Sequence, residues 1–202
     1  MSLALDISHI GESLVAELLN DQDVRTKITK LADLSSLPIK AKPNVSIGNK
    51  SDPMHRIDVL ITGTGKDRPL TAIEVKFGTT ITTPGGYCNR YLSNTSDDST
   101  KGNMINKLVE GVKIGDKKVE KKWILLVRNT EIKKKLSSST KLGKKNRKLW
   151  EKMRKTCCII SLEDLLSGVK KDVFENAVTK CLTPEISFHE DWGISLSGPP
   201  GV

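Results

Sequence analysis

The chain predicts an α/β protein with a mixed central sheet flanked by helices. Three features carry that expectation: an apolar β-hairpin over 56–77, the unbroken apolar run Trp123-Ile124-Leu125-Leu126-Val127, and helical stripes before, between and after them. Strands interleaved with helices bury their apolar surface best as a sheet covered by helical layers. With 202 residues the chain has enough length for one ordinary domain with a substantial core. Residues 1–182 are expected to form it, and 183–202, with Pro184, Pro199 and Pro200, an irregular tail.

Taken in order, Ser8 is the expected N-cap of a first helix running to about Asn20. Ile10, Leu14 and Leu18 recur at helical spacing, and Val15 and Leu19 widen that stripe. Glu12 and Glu17 flank it on opposite sides. A second helix is expected over 23–34, ended by the proline-bearing stretch 38–43, with a first strand over 44–48.

The hairpin follows, with strands over 56–62 and 70–77, a polar turn over 63–69, and Gly78 closing it. Side chains alternate across a strand, so Glu74 and Lys76 share one face while Ile73, Val75 and Phe77 share the other. By the same rule Asp58 opposes Ile57, Val59 and Ile61. Burying those six apolar side chains on one side brings Asp58, Glu74 and Lys76 together on the other.

Residues 79–100 are polar, with Tyr87, Arg90 and Tyr91 among them; such a stretch is either a loop that enters a nucleic-acid groove or a plain surface excursion. A helix is expected over 101–112, with Met104, Leu108 and Val112 on one face. The run 123–127 reads as a central strand buried on both faces. The stretch 131–142 is Lys- and Ser-rich, and is expected to be mobile at Ser137-Ser138-Ser139. A basic helix over 144–155 would pack through Leu149, Trp150 and Met153. Cys157 to Ile160 reads as a short buried strand, Ser161 as the cap of a helix at 162–166, and 170–181 as the last helix.

Charge is unevenly spread. Lys and Arg exceed Asp and Glu by 33 to 24, a net charge of +9. Between Lys117 and Lys155 sixteen Lys or Arg face three Glu, a local +13, so the rest of the chain sums to −4. A polycationic segment in an otherwise acidic chain is the footprint of a phosphate-backbone contact, or of a solvated helix and loop. Lys144, Lys145, Arg147 and Lys148 are its nucleic-acid-binding candidates, with Arg90 in the preceding polar stretch. His55 and Arg56, just before the hairpin, are further phosphate candidates. The four cysteines have no paired C-x-x-C spacing, which argues for buried free thiols in a reducing compartment. No leader pattern opens the chain, and no apolar run is long enough to cross a bilayer, so neither secretion nor a membrane anchor is expected. No Walker-type loop, dinucleotide fingerprint or internal repeat is present.

Two carboxylates at one point repel each other unless a cation lies between them, and hard oxygen ligands suit a divalent ion such as Mg²⁺. A lysine beside that ion can hold a water whose pKa the ion lowers. Phosphodiester hydrolysis is the reaction that Asp58, Glu74 and Lys76 fit best.

Asp58, a fifteen-residue gap, then Glu74-Val75-Lys76 on a second apolar strand resembles the PD-(D/E)XK nuclease superfamily, whose core is restriction-endonuclease-like. The resemblance implies that Asp58, Glu74 and the Val75 carbonyl hold the metal, and that Lys76 stands near the attacking water. Ile57 precedes Asp58 where the family pattern has proline. In that family an N-terminal helix often brings a further glutamate to the metal, and Gly11-Glu12-Ser13-Leu14-Val15-Ala16-Glu17-Leu18-Leu19 resembles that helix, with Glu12 the matching acid. On residues alone, Glu12 and Glu17 stand equally as solvated flank positions. A strand followed by Ile-Ser-Leu-Glu-Asp-Leu-Leu also resembles the superfamily's closing elements. The implied protein is a cytoplasmic Mg²⁺-dependent endonuclease of restriction type, with Mn²⁺ as a substitute ion. It would act on double-stranded DNA as a homodimer and leave 5′-phosphate and 3′-hydroxyl ends. Its alternatives are a structure-specific resolvase, an RNA-cleaving toxin nuclease, and a non-catalytic nucleic-acid-binding module of the same fold.

Overall fold

A computed structural model describes residues 3–47, 55–66, 68–78, 83–86, 113–114, 117–138 and 142–182. Helices α1 (Leu3–Leu18) and α2 (Gln22–Ala32) precede strands β1 (Pro38–Ile47), β2 (His55–Gly63) and β3 (Leu70–Lys76). The short pair β4 (Lys113–Ile114) and β5 (Lys117–Lys118) leads to β6 (Trp123–Val127), α3 (Thr130–Ser137) and α4 (Lys144–Arg154). Strand β7 (Cys157–Ser161), α5 (Leu162–Leu166) and α6 (Lys171–Leu182) complete the described chain.

The expected α/β architecture is present as a five-stranded mixed sheet in the order β1-β2-β3-β6-β7. β1, β2 and β3 run antiparallel; β3, β6 and β7 run parallel. Parallel neighbours require a crossover, and α3 with α4 supplies the one between β6 and β7. The crossover packs on one face of the sheet, where Ile132, Leu136, Trp150 and Met153 meet Trp123, Leu125 and Val127. On the other face Val15, Leu18, Val24, Ile28, Leu165 and Ala177 meet Ile124, Leu126, Ile73 and Val59. Alternate residues of β6 therefore enter two separate cores, and all five are buried, as a central strand requires.

Several expectations are corrected by the packing. α1 begins at Leu3, so Ser8 lies inside the helix and not at its cap, and Ile10 is 40% exposed at the edge of the stripe. α2 stops before the prolines: Asp33 takes a left-handed conformation and its N–H returns to the last turn. The prolines belong to β1, which starts at Pro38 and holds Pro43. β1 is an edge strand, where a missing N–H costs no ladder bond. The Lys- and Ser-rich stretch, assigned no element from its sequence, contains α3 as far as Ser137, capped by the Asn129 side chain, which accepts from the Ile132 N–H at 3.0 Å, while Ser139 lies outside the described residues. β7 forms the opposite edge, so Cys157, Cys158 and Ile159 are half-buried and not core. Cys157, Cys158 and Cys181 are free thiols, and burial pushes all three above the usual thiol range. The expected helix over 101–112, the tail 183–202, Cys88, and Tyr87, Arg90 and Tyr91 lie outside the described residues.

At the C-terminal ends of β6 and β7, a polar clamp ties the crossover to α5. Ser161 caps α5 as expected, accepting from the Asp164 N–H at 3.1 Å, and its hydroxyl lies 3.2 Å from that of Thr130. Lys133 donates to Asp164 at 3.0 Å. The Ser161 hydroxyl, and after it the Lys133 ammonium, hold the Asp164 carboxyl below the usual carboxylate range. A depressed folded pKa contributes stability above the unfolded value, and that stability is lost as pH falls through the folded value. Asp164→Asn is therefore expected to lower stability by about 1 kcal/mol at neutral pH. In urea titrations that difference should shrink towards zero below about pH 4.

Candidate active site

The hairpin's alternation places Glu74 and Lys76 with Leu70 and Ala72, on the face covered by the crossover, while Ile73, Val75 and Phe77 turn to the other face. Both faces of β3 are thus lined by core, and Glu74 is buried at the end of one of them. β2 does not keep simple alternation. Ile57 packs in the crossover core, while Val59 and Ile61 pack in the opposite one, so the six apolar side chains do not share one side. The irregularity falls at Asp58. Across from it, between the Pro43–Val59 and Val45–Ile57 pairs, Asn44 adopts φ 56°. Asparagine tolerates that left-handed conformation better than most residues.

The β2–β3 register runs from Thr62–Leu70 to Val59–Ile73. Beyond it the Asp58 carboxylate takes a backbone donor of β3, accepting from the Val75 N–H at 2.8 Å. The side chains converge in the place so made. The Lys76 ammonium lies 3.2 Å from Asp58 Oδ2, 2.6 Å from Glu74 Oε1 and 3.0 Å from the Val75 carbonyl oxygen. The structure therefore brings Asp58, Glu74 and Lys76 to one point, the grouping the hairpin reading expected, and the Val75 carbonyl lies beside them. The Asp58 and Glu74 side chains are only 16% and 7% exposed. Carboxylates so withdrawn from water need a cation beside them, and Lys76 is one.

Glu12 is buried, and its Oε2 lies 3.7 Å from the Arg56 guanidinium on β2. Gly11 explains how α1 comes so near the hairpin: a Cβ there would lie 3.1 Å from the Phe77 ring. A glycine inside a helix costs about 1 kcal/mol relative to alanine, which close packing here offsets. Glu17 turns elsewhere, towards Lys180 at 3.6 Å and Asn20 at 3.2 Å. Of the two glutamates, Glu12 is the one beside β2. Among the described residues no group of three or more Asp, Glu, His and Cys side chains is placed to hold a metal ion, and the charged partner Glu12 faces is Arg56, next to Asp58 in β2. The donor set at the cluster is two carboxylates and one carbonyl. All are oxygens already gathered around a positive charge, and that fits a hard divalent cation.

Arg56 and Asn44 are parts of the site whose roles the sequence did not reveal. The Arg56 guanidinium donates to the Asn44 side-chain oxygen and pairs with Glu12, so it ties β1, β2 and α1 together next to Asp58. Lys144, Arg147 and Lys148 are exposed on α4, and Arg147 reaches the Leu142 carbonyl at 3.5 Å. α4 packs through Trp150 and Met153, as expected. The side chains of His55, Lys145 and Leu149, like all of Arg90, lie outside the described residues.

Replacing Lys76 with methionine should leave two carboxylates facing each other, at a cost of about 3 kcal/mol. The expected outcome is a lower melting temperature that Mg²⁺ raises more in Lys76→Met than in wild type, measured by thermal unfolding with and without the ion. No protein-family model, no curated protein and no solved structure matches the chain.

Proposed function

We propose that the protein is a metal-dependent endonuclease that hydrolyses phosphodiester bonds in DNA, built on a restriction-endonuclease-like core. The observation that carries this reading is the meeting of the Asp58 and Glu74 carboxylates and the Val75 carbonyl around the Lys76 ammonium. Asp58, Glu74 and the Val75 carbonyl would hold a Mg²⁺ or Mn²⁺ ion. When bound, such an ion supplies Lewis-acid stabilisation of the charge that grows on the scissile phosphate.

The chain's own groups have distinct parts. Asp58 cannot drift, because its carboxylate is bound to the Val75 N–H, and this fixes both strands at the reacting end. With Asp58 and Glu74 engaged in holding an ion, the Lys76 ammonium would be left to donate its N–H groups to the attacking water and a non-bridging phosphate oxygen. The water oxygen bonds to phosphorus as one of its protons passes to solvent, the P–O3′ bond breaks, and the departing oxygen takes up a proton from solvent to become a 3′-hydroxyl. Glu12 and Arg56 brace α1 against β2 beside this point. Two copies would be needed to cut both strands in one encounter, so the reading implies a homodimer. Free thiols accord with a cytoplasmic setting.

The test is incubation of supercoiled plasmid and tRNA with wild type, Asp58→Asn and Lys76→Ala, with Mg²⁺ or EDTA. Asp58→Asn keeps an acceptor for the Val75 N–H while removing the charge. Mg²⁺-dependent plasmid cleavage is expected, reduced about 10²- to 10⁴-fold in either variant. Cleavage of tRNA alone would instead identify an RNA-cleaving enzyme, and binding with no cleavage a non-catalytic module.

A further inference from the structure

The cluster lies at the C-terminal end of β3, where Lys76 pairs with Val127 of the parallel strand β6. A concavity opens at the other end of the parallel strands, immediately before β6 and β7. It has a volume of about 560 Å³ and is lined by Leu31, Asp33, Lys121, Lys122, Arg154 and Lys155, with Cys157 and Cys158 at its base. Lys122 is engaged locally, donating to the Asp33 carbonyl at 2.8 Å and to its carboxylate at 3.2 Å. Lys121, Arg154 and Lys155 are exposed and have no acidic partner among the described residues. Three unneutralised cations around one depression focus a positive potential that a scattered surface would not.

The walls indicate which anion this groove takes. α2 ends at Ala32 and α4 at Arg154, so the two helix termini here are C-termini, whose carbonyls disfavour an anion held tightly in the floor. No aromatic side chain lines the groove to stack a base. What remains is a set of long, exposed cationic side chains at an open rim, suited to successive phosphates of a chain passing over it and poorly suited to one enclosed nucleotide. Five residues of β6 separate this rim from the level of Lys76, about 16 Å at the rise of a parallel strand. That is about five base pairs along a duplex, so a phosphate here is not the one beside Asp58.

We propose that the Lys121–Arg154–Lys155 groove is a second phosphate-backbone site, which holds the nucleic acid on the flank of the position being cut. It rests on nucleic acid being the ligand, as proposed above, and not on hydrolysis. It also places part of the polycationic segment's function at the C-terminal end of α4, away from Lys144, Arg147 and Lys148 in its first turns.

The test is fluorescence anisotropy with a labelled DNA duplex in EDTA across a salt series. It compares wild type with Lys121→Glu/Arg154→Glu/Lys155→Glu and with a charge-matched reversal on and beside α6, Lys170→Glu/Lys171→Glu/Lys180→Glu. The groove variant should bind about tenfold or more weakly at moderate salt, and its slope of log affinity against log salt should fall by about two to three. The α6 variant should stay within about twofold. The corresponding glutamine triple variant of the groove should show a smaller loss in the same direction, and it carries the test if the reversal fails to fold. Equal losses in the groove and α6 variants, or wild-type affinity and slope in the groove variant, would overturn the proposal. Absence of any binding by wild type would overturn both this site and the nucleic-acid reading. Groove-dependent binding without Mg²⁺-dependent cleavage would support the groove and count against the hydrolysis alone.

Discussion

Two carboxylates and one ammonium meet where β2 and β3 part, and the surrounding structure is arranged to keep them there. Asp58 and Glu74 are withdrawn from water, so each must be balanced at close range. Lys76 balances both, yet the trio still carries formally one negative charge in excess. That is the electrostatic situation in which a divalent ion gains most by replacing a monovalent group. The Asp58–Val75 hydrogen bond fixes the carboxylate that such an exchange would need to leave in place.

Each neighbouring layer contributes to this arrangement. The parallel pairing of β3 with β6 sets the Glu74 and Lys76 level against Leu125 and Val127, inside the best-buried strand of the sheet. α1 reaches the hairpin because Gly11 lies against Phe77, and the Glu12–Arg56 pair locks that approach. Arg56 also holds Asn44, whose left-handed backbone stands across from the irregularity at Asp58. At the far end of the same parallel strands the charge is reversed in sign, with Lys121, Arg154 and Lys155 around an open groove. One end gathers carboxylates around an ammonium, and the other sets cationic side chains around an open groove.

Much of this was legible in the sequence, for identifiable reasons. Period-two alternation alone groups Glu74 with Lys76, and the unbroken apolar run at 123–127 has no other stable place than the sheet centre. Ser161 followed by Asp164 marks a helix start that tertiary packing has no reason to override. What could not be read was set by edges and by long-range contacts. Pro38 and Pro43 argue against a strand until β1 is known to lie at an edge. The switch of face between Ile57 and Val59 falls opposite Asn44, a residue on another strand with a left-handed backbone, and such a cross-strand feature leaves no mark in the hairpin's own pattern. α3 was obscured by its lysines and serines, although Ile132 and Leu136 stand four apart and both are buried. The charge count located the basic segment, but only the meeting of α2 with the starts of β6 and β7 makes a groove of part of it.

The central claim is that the place Lys76 occupies is a cation site that a divalent ion can take over. A crystal grown with Mn²⁺ and measured at the manganese absorption edge tests it most directly. The account predicts an anomalous peak against the Asp58 and Glu74 carboxylates and the Val75 carbonyl, with the Lys76 ammonium moved out from between them. A Lys76 ammonium still bound to both carboxylates, with no manganese at that position, would contradict it.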